Sequence, residues 1–199
     1  MATQLIFSCI CLVIQSVIWW TYKYYKFKSK KVENIFGILI YMLPVVLLFK
    51  YHNLLSVIYL LGTLLSDIVI SKNVGIGGGL YFLTYVIILV LLRDTLEFNP
   101  IIALFSVIEI ATVACCIFIK MKPDIITSVA AGIYGVLLIF MLYFGLYHKN
   151  IGFIFLVVGD KLLAVKELYK GSEKKLLGVV SNEFFYAGMS FVPLVLINY

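Results

Sequence analysis

The sequence predicts an all-α polytopic membrane protein with eight transmembrane helices. Three observations predict it. Hydrophobic residues make up 63% of the chain, charged residues only 13%, and mean hydropathy is +1.09; a typical soluble domain carries roughly 25% charged residues. Apolar runs recur along the whole length, most of them near the ~20 residues that a ~30 Å hydrocarbon core requires. The runs lack period-2 alternation, which favours helices over a barrel. A water-soluble fold of 199 residues has too little interior for this apolar surface. Disordered chains, disulfide scaffolds and ordinary cytosolic enzymes are excluded. Residues 1–199 are read as a single transmembrane domain.

Reading between charges and turn residues, the spans fall at 4–22, 34–49, 53–71, 76–92, 100–119, 125–147, 150–168 and 176–197. The first has no basic stretch before it and no small-residue cleavage pattern after it, so it is not read as a cleaved signal peptide. The segment that follows interleaves Lys23, Lys26, Lys28, Lys30 and Lys31 with Tyr22, Tyr24 and Tyr25, the composition of an interfacial belt. The second run is short. Gly75, Gly77, Gly78 and Gly79 precede the fourth run without the Lys-Ser/Thr of a phosphate loop and are read as a tight turn followed by close helix packing. Asp124 follows Pro123 and is read as a helix N-cap.

Orientation follows from the lysines. With the N-terminus outside, 13 of the 16 basic residues fall in inner loops, leaving Lys50, Arg93 and Lys149 outside. That split places both termini outside and the 22–33 and 169–175 loops in the cytoplasm. Because the basic residues sit at span ends rather than on one soluble face, the net charge of +6 points to anionic lipid head groups and not to nucleic acid. Cys9, Cys11, Cys115 and Cys116 lie in apolar runs and are read as buried, unreactive thiols. No metal or organic cofactor is indicated. His52 and His148 are read as interfacial, and Ser66 and Ser181 have no neighbouring His base.

Acids inside a membrane are costly and usually functional. Four of the ten fall within spans: Asp67, Glu109, Asp160 and Glu183. Glu33, Asp94, Glu97, Glu167 and Glu173 fall in loops or at interfaces. Asp67 and Asp160 share a context. Each follows a small residue, Ser66 or Gly159, and each precedes an aliphatic turn, a basic residue and a Gly-containing turn. Four spans separate them, so a four-plus-four internal repeat would bring both aspartates to matching depth in the inner half. Two carboxyls in a low-dielectric cavity are not both ionised near neutral pH, which provides a proton donor beside a base or cation stabiliser. Glu183 and Lys161 are the candidate substrate-binding residues. Lys161 could contact a phosphate; snorkelling to the interface is its ordinary alternative. For Glu109 a helix–helix hydrogen bond is expected.

The stretches around Ser66-Asp67 and Gly159-Asp160-Lys161-Leu162-Leu163-Ala164, with Phe153-Ile154-Phe155-Leu156 and Phe184-Phe185-Tyr186-Ala187, resemble the signature segments of the YhhN/lysoplasmalogenase family. Gly78, Gly79 and Phe82-Leu83 extend the first match. Hydropathy matches over the whole chain and motifs over about a third of it. The chain departs from the family pattern at Ser66 (usually Gly), Thr84 and Tyr85 (where a His is usual), Leu43 before Pro44, Gly188 and Lys161. The resemblance implies an eight-span hydrolase acting on the vinyl ether bond of a lysoplasmalogen, a lysophospholipid substrate. Fatty aldehyde and glycerophosphocholine or glycerophosphoethanolamine would be the products, and Asp67 and Asp160 the catalytic pair. It implies an endoplasmic-reticulum membrane for a eukaryotic relative and the inner membrane for a bacterial one. From the residues alone, a small proton-coupled transporter, a lipid-translocating protein and an inactive lipid-binding relative are the alternatives.

Overall fold

The computed structural model describes residues 2–25, 28–70, 72–166, 169 and 171–197. Lys26, Glu167 and Lys170 lie outside the described residues, as does the side chain of Glu33. The described residues form helices and no strand: α1 (Ala2–Tyr25), α2 (Lys30–Leu39), α3 (Met42–Lys50), α4 (Leu54–Ile70), α5 (Val74–Leu91), α6 (Pro100–Met121), α7 (Ile125–Tyr147), α8 (Ile151–Lys166), α9 (Gly171–Phe191) and α10 (Pro193–Leu196). A short 3-10 turn, Arg93–Thr95, follows α5.

Four segments are long and apolar enough to cross a membrane: Thr3–Tyr25, Lys30–Lys50, Pro100–Met121 and Ile125–Tyr147. Leu54–Ile70 and Gly75–Leu91 are shorter apolar helices. Large apolar side chains stand exposed along them, Phe49 at 85% and Ile119 at 74%. Soluble monomers rarely present such continuous apolar surface. The chain is an all-α membrane protein.

Two of the expected spans are broken, and both breaks lie at a proline. The second run is two helices, α2 and α3, joined at Ile40 and Tyr41. Pro44 has no N–H for the carbonyl of Ile40 four residues earlier, and its ring crowds that turn. The eighth run starts at Gly171, earlier than expected, and stops at Phe191, just before Pro193 opens α10. Glu173, Lys174 and Lys175, read as loop, therefore lie in α9. Lys30 and Lys31 similarly belong to α2.

Helix starts are capped by short polar side chains. The carboxylate of Asp124 accepts from the N–H groups of Ile126 and Thr127 at 2.9 and 3.0 Å. These bonds hold the carboxyl below the usual range, the backbone bond from Thr127 contributing most. Asn99 caps α6, Asn150 caps α8, Asn73 bonds the N–H of Ile76, and Asn53 that of Ser56. Each satisfies N–H groups that the first turn of a helix leaves without an intrahelical partner.

The chain divides into two compact units. The first comprises Met1–Thr84 with Met189–Tyr199, the second Tyr85–Gly188. In the first, α1 packs on α2 and α3, α3 on α4, and α10 on α4. Asn53 ties the last pair together, its amide donating to the carbonyl of Leu196 at 2.5 Å. In the second, α6, α7 and α8 form a mutually packed trio, and Met141 and Phe144 of α7 and Phe153 and Leu156 of α8 are fully buried.

The cysteines correct an expectation. Cys11 is buried, but Cys9, Cys115 and Cys116 are exposed. A membrane helix is apolar on its lipid face as well as its packed face, so an apolar setting did not distinguish the two.

Candidate functional site

In the first unit, Asp67 lies near the C-terminal end of α4, directly after Ser66. Ser66 is fully buried, and its hydroxyl donates to the carbonyl of Gly62 at 2.6 Å. Gly62 lets α5 approach closely: a methyl group there would overlap Oγ1 of Thr84 and meet its Cγ2 at 2.6 Å. One turn below Thr84, the hydroxyl of Tyr81 donates to Oδ1 of Asp67. The glycine run read as a turn lies inside the start of α5. Gly77 is the glycine that the packing requires, since a methyl there would meet the backbone of Ile70 at 2.5 Å.

In the second unit, Gly159 allows α9 to approach α8; a methyl there would lie 3.1 Å from the carbonyl oxygen of Ser181. The Ser181 hydroxyl donates to the carbonyl of Gly159 at 2.8 Å. The residues after Gly159 point to different neighbours. Oδ2 of Asp160 accepts from the hydroxyl of Tyr134 on α7 at 2.8 Å. Nζ of Lys161 donates to Oε2 of Glu109 on α6 at 2.6 Å, with side-chain exposures of 22% and 41%. Successive residues are about 100° apart around a helix, so adjacent positions on α8 reach two different helices.

Lys161 is therefore an ion-pair partner. The contact expected for Glu109 is present, and is ionic. A cavity of about 130 Å³ lies between α6, α7 and α8, and Tyr134, Asp160 and Lys161 line it. Glu183 lies on α9, half-buried, and is not among the lining residues.

Tyr81 and Tyr134 are the site residues that the sequence reading missed. A tyrosine inside an apolar run was the available signal, because its hydroxyl needs a partner where no water is present. No metal-binding group of three or more His, Cys, Asp or Glu occurs among the described residues.

No family model matches the chain, and no curated protein or solved structure matches it either.

Taken by its chemistry, each aspartate is a carboxyl on an apolar helix, with one oxygen held by a phenol from a neighbouring helix. That arrangement fixes the rotation of the carboxyl and leaves its second oxygen for another partner. A carboxyl held in this way can donate a proton, accept one, or stabilise a positive charge.

Proposed function

We propose that the chain is an intramembrane hydrolase of vinyl ether lysophospholipids, of the lysoplasmalogenase class. In this reading it has eight spans, with both termini outside and Asp67 and Asp160 in the reaction. The observation that carries it is the recurrence of one device: a small residue, an aspartate, and a tyrosine hydroxyl from a neighbouring helix on the carboxyl, for both Asp67 and Asp160. The resemblance of the two aspartate segments to the lysoplasmalogenase signatures supports the substrate class.

The chemistry suits such groups. Hydrolysis begins when a carboxylic acid protonates the β-carbon of the vinyl ether, leaving an oxocarbenium-like cation. A carboxylate stabilises the cation and removes a proton from the water that adds to it, as in two-carboxylate glycoside hydrolysis. The hemiacetal then breaks its C–O bond, releasing fatty aldehyde and the glycerophospho-alcohol. Water is the only co-reactant.

The test is fatty-aldehyde release from a purified lysoplasmalogen by detergent-solubilised protein. Asp67→Asn and Asp160→Asn should each remove nearly all activity, and the double change should cost little more than either alone, as for groups acting as a unit. Full activity in both single variants rejects the role of the aspartates. Absence of wild-type activity on both choline and ethanolamine substrates rejects the hydrolase reading.

A further inference from the structure

The cavity between α6, α7 and α8 has a charge imbalance. Two carboxylates, Asp160 and Glu109, stand against one ammonium, Lys161, which is committed to Glu109 at 2.6 Å. Asp160 forms no ion pair among the described residues; its partner is the neutral hydroxyl of Tyr134. With both acids ionised, the group carries one uncompensated negative charge at the surface of an apolar cavity. Such a charge is expensive in hydrocarbon and is relieved by a proton or by a cation.

We propose that this cavity binds the ammonium end of single-chain amphiphiles, with the cation on Asp160 and the first methylenes of the chain along the apolar walls. Three features fit that ligand, and the first two disfavour an anionic one. Tyr134 occupies Oδ2 of Asp160 and leaves Oδ1 for the cation. Its aromatic ring, beside the carboxylate, offers a second attractive surface for ammonium. The walls beyond the polar groups, including Ile117 and Phe118 of α6 with Ala131 and Gly135 of α7, are apolar, and about 130 Å³ takes the methyl groups of the head and the first methylenes of the chain. Glu109 lies off the lining but sets its sign, because it cancels the charge of Lys161. The site shares Asp160 with the hydrolase reading and deepens it, but it rests on this charge count, and its test reads binding and not aldehyde release.

The test measures binding. The full chain in phosphatidylcholine nanodiscs is titrated with radiolabelled dodecyltrimethylammonium and, separately, dodecanol, subtracting binding to empty discs. The two probes share a chain length and differ in charge. Wild type should bind the cation about tenfold more tightly than the alcohol, the scale of one partly desolvated cation contact. Asp160→Asn and Glu109→Gln should each abolish that preference, the second by freeing Lys161 to neutralise Asp160. Lys161→Met should increase the preference. Dodecanol affinity should stay within about twofold in these three variants, which shows that the cavity is intact; the same scale of contact sets that margin. Gly135→Leu, which fills the cavity, should weaken both probes. Equal binding of the two probes by wild type overturns the proposal, as does a preference that survives Asp160→Asn. Unchanged binding in Gly135→Leu overturns the location. All of these readouts hold whether or not the protein releases aldehyde.

Discussion

The side-chain amide of Gln15 on α1 donates to the backbone carbonyl of Ile40 at 2.9 Å. Ile40 lies four residues before Pro44, so its carbonyl has lost the N–H that would otherwise close the helical turn. Gln15 is only 2% exposed, a buried polar residue in the middle of an apolar helix, and this carbonyl accounts for it. The proline breaks the run into α2 and α3, and the glutamine repairs the broken turn from the neighbouring helix.

Removing the repair should be costly only while the break exists. Gln15→Leu should destabilise the protein by about 1 kcal/mol, the cost of an unmade buried hydrogen bond in this environment. In a Pro44→Ala background, the N–H restored at that position can bond the carbonyl of Ile40, and the same replacement should cost clearly less. Denaturant unfolding in micelles of the four proteins in the cycle gives the coupling. Additive effects would mean that the amide and the proline do not share this carbonyl.

The approach of α5 to α4 makes a second prediction. Gly62→Ala places a methyl onto Oγ1 of Thr84 and 2.6 Å from its Cγ2. It should destabilise by roughly 1–3 kcal/mol, the range for overpacking. Thr84→Ala removes both atoms and leaves Cβ at 3.0 Å, so the pair of changes should recover much of the loss. Unfolding midpoints of the single and double variants decide it.

A third concerns the phenols. On the proposed reaction, Tyr81→Phe and Tyr134→Phe keep each ring and remove the group that holds the carboxyl. Each should lower kcat by about tenfold to a hundredfold, less than loss of the aspartate, with KM nearly unchanged, because positioning contributes mainly at the transition state. A rise in KM alone would assign the tyrosines to substrate binding.

A fourth concerns pH. His148 follows α7, and its Nε2 lies 3.1 Å from Oγ1 of Thr95. Burial holds the imidazole below its ordinary value of 6.5. The unfolded chain therefore takes up the proton first as pH falls. Stability should be highest above pH 6.5 and decline between 6.5 and the lower folded value. His148→Gln should remove that part of the pH dependence of the unfolding midpoint. An unchanged profile would rule out His148 as its source.

Topology makes a fifth. With the native cysteines replaced, Cys introduced at Lys28 and at Lys149 should be labelled by an impermeant maleimide from opposite sides of a sealed vesicle. Labelling from one side sinks the proposed orientation.

Much of this protein is legible in its sequence, and the illegible parts have identifiable reasons. Apolar length located the helices, because a lipid-facing helix has few polar residues to confuse its limits. Asn53, Asn73, Asn99 and Asn150 mark starts as clearly as Asp124 does, and were available to the same capping argument. Pro44 and Pro193 carried the two breaks, but hydropathy averages over them. The partner of Lys161 was not legible: Glu109 is 52 residues away, and no local pattern links a lysine on one apolar helix to a glutamate on another. The exposure of Cys9, Cys115 and Cys116 was hidden for the opposite reason, since apolar surroundings are common to both faces of these helices.

The adjacent contacts of α8 have a mechanical consequence. Asp160 holds α7 and Lys161 holds α6, from consecutive positions and at one level of the helix. Rotating α8 about its axis in either direction would pull on both contacts. Sliding by one residue, a rise of about 1.5 Å with a turn of about 100°, would aim each side chain at the wrong neighbour. The two contacts differ in reach: the short side chain of Asp160 holds α7 firmly, while the flexible stem of Lys161 can follow α6. Turning α8 would therefore loosen the hold on α7 before the hold on α6.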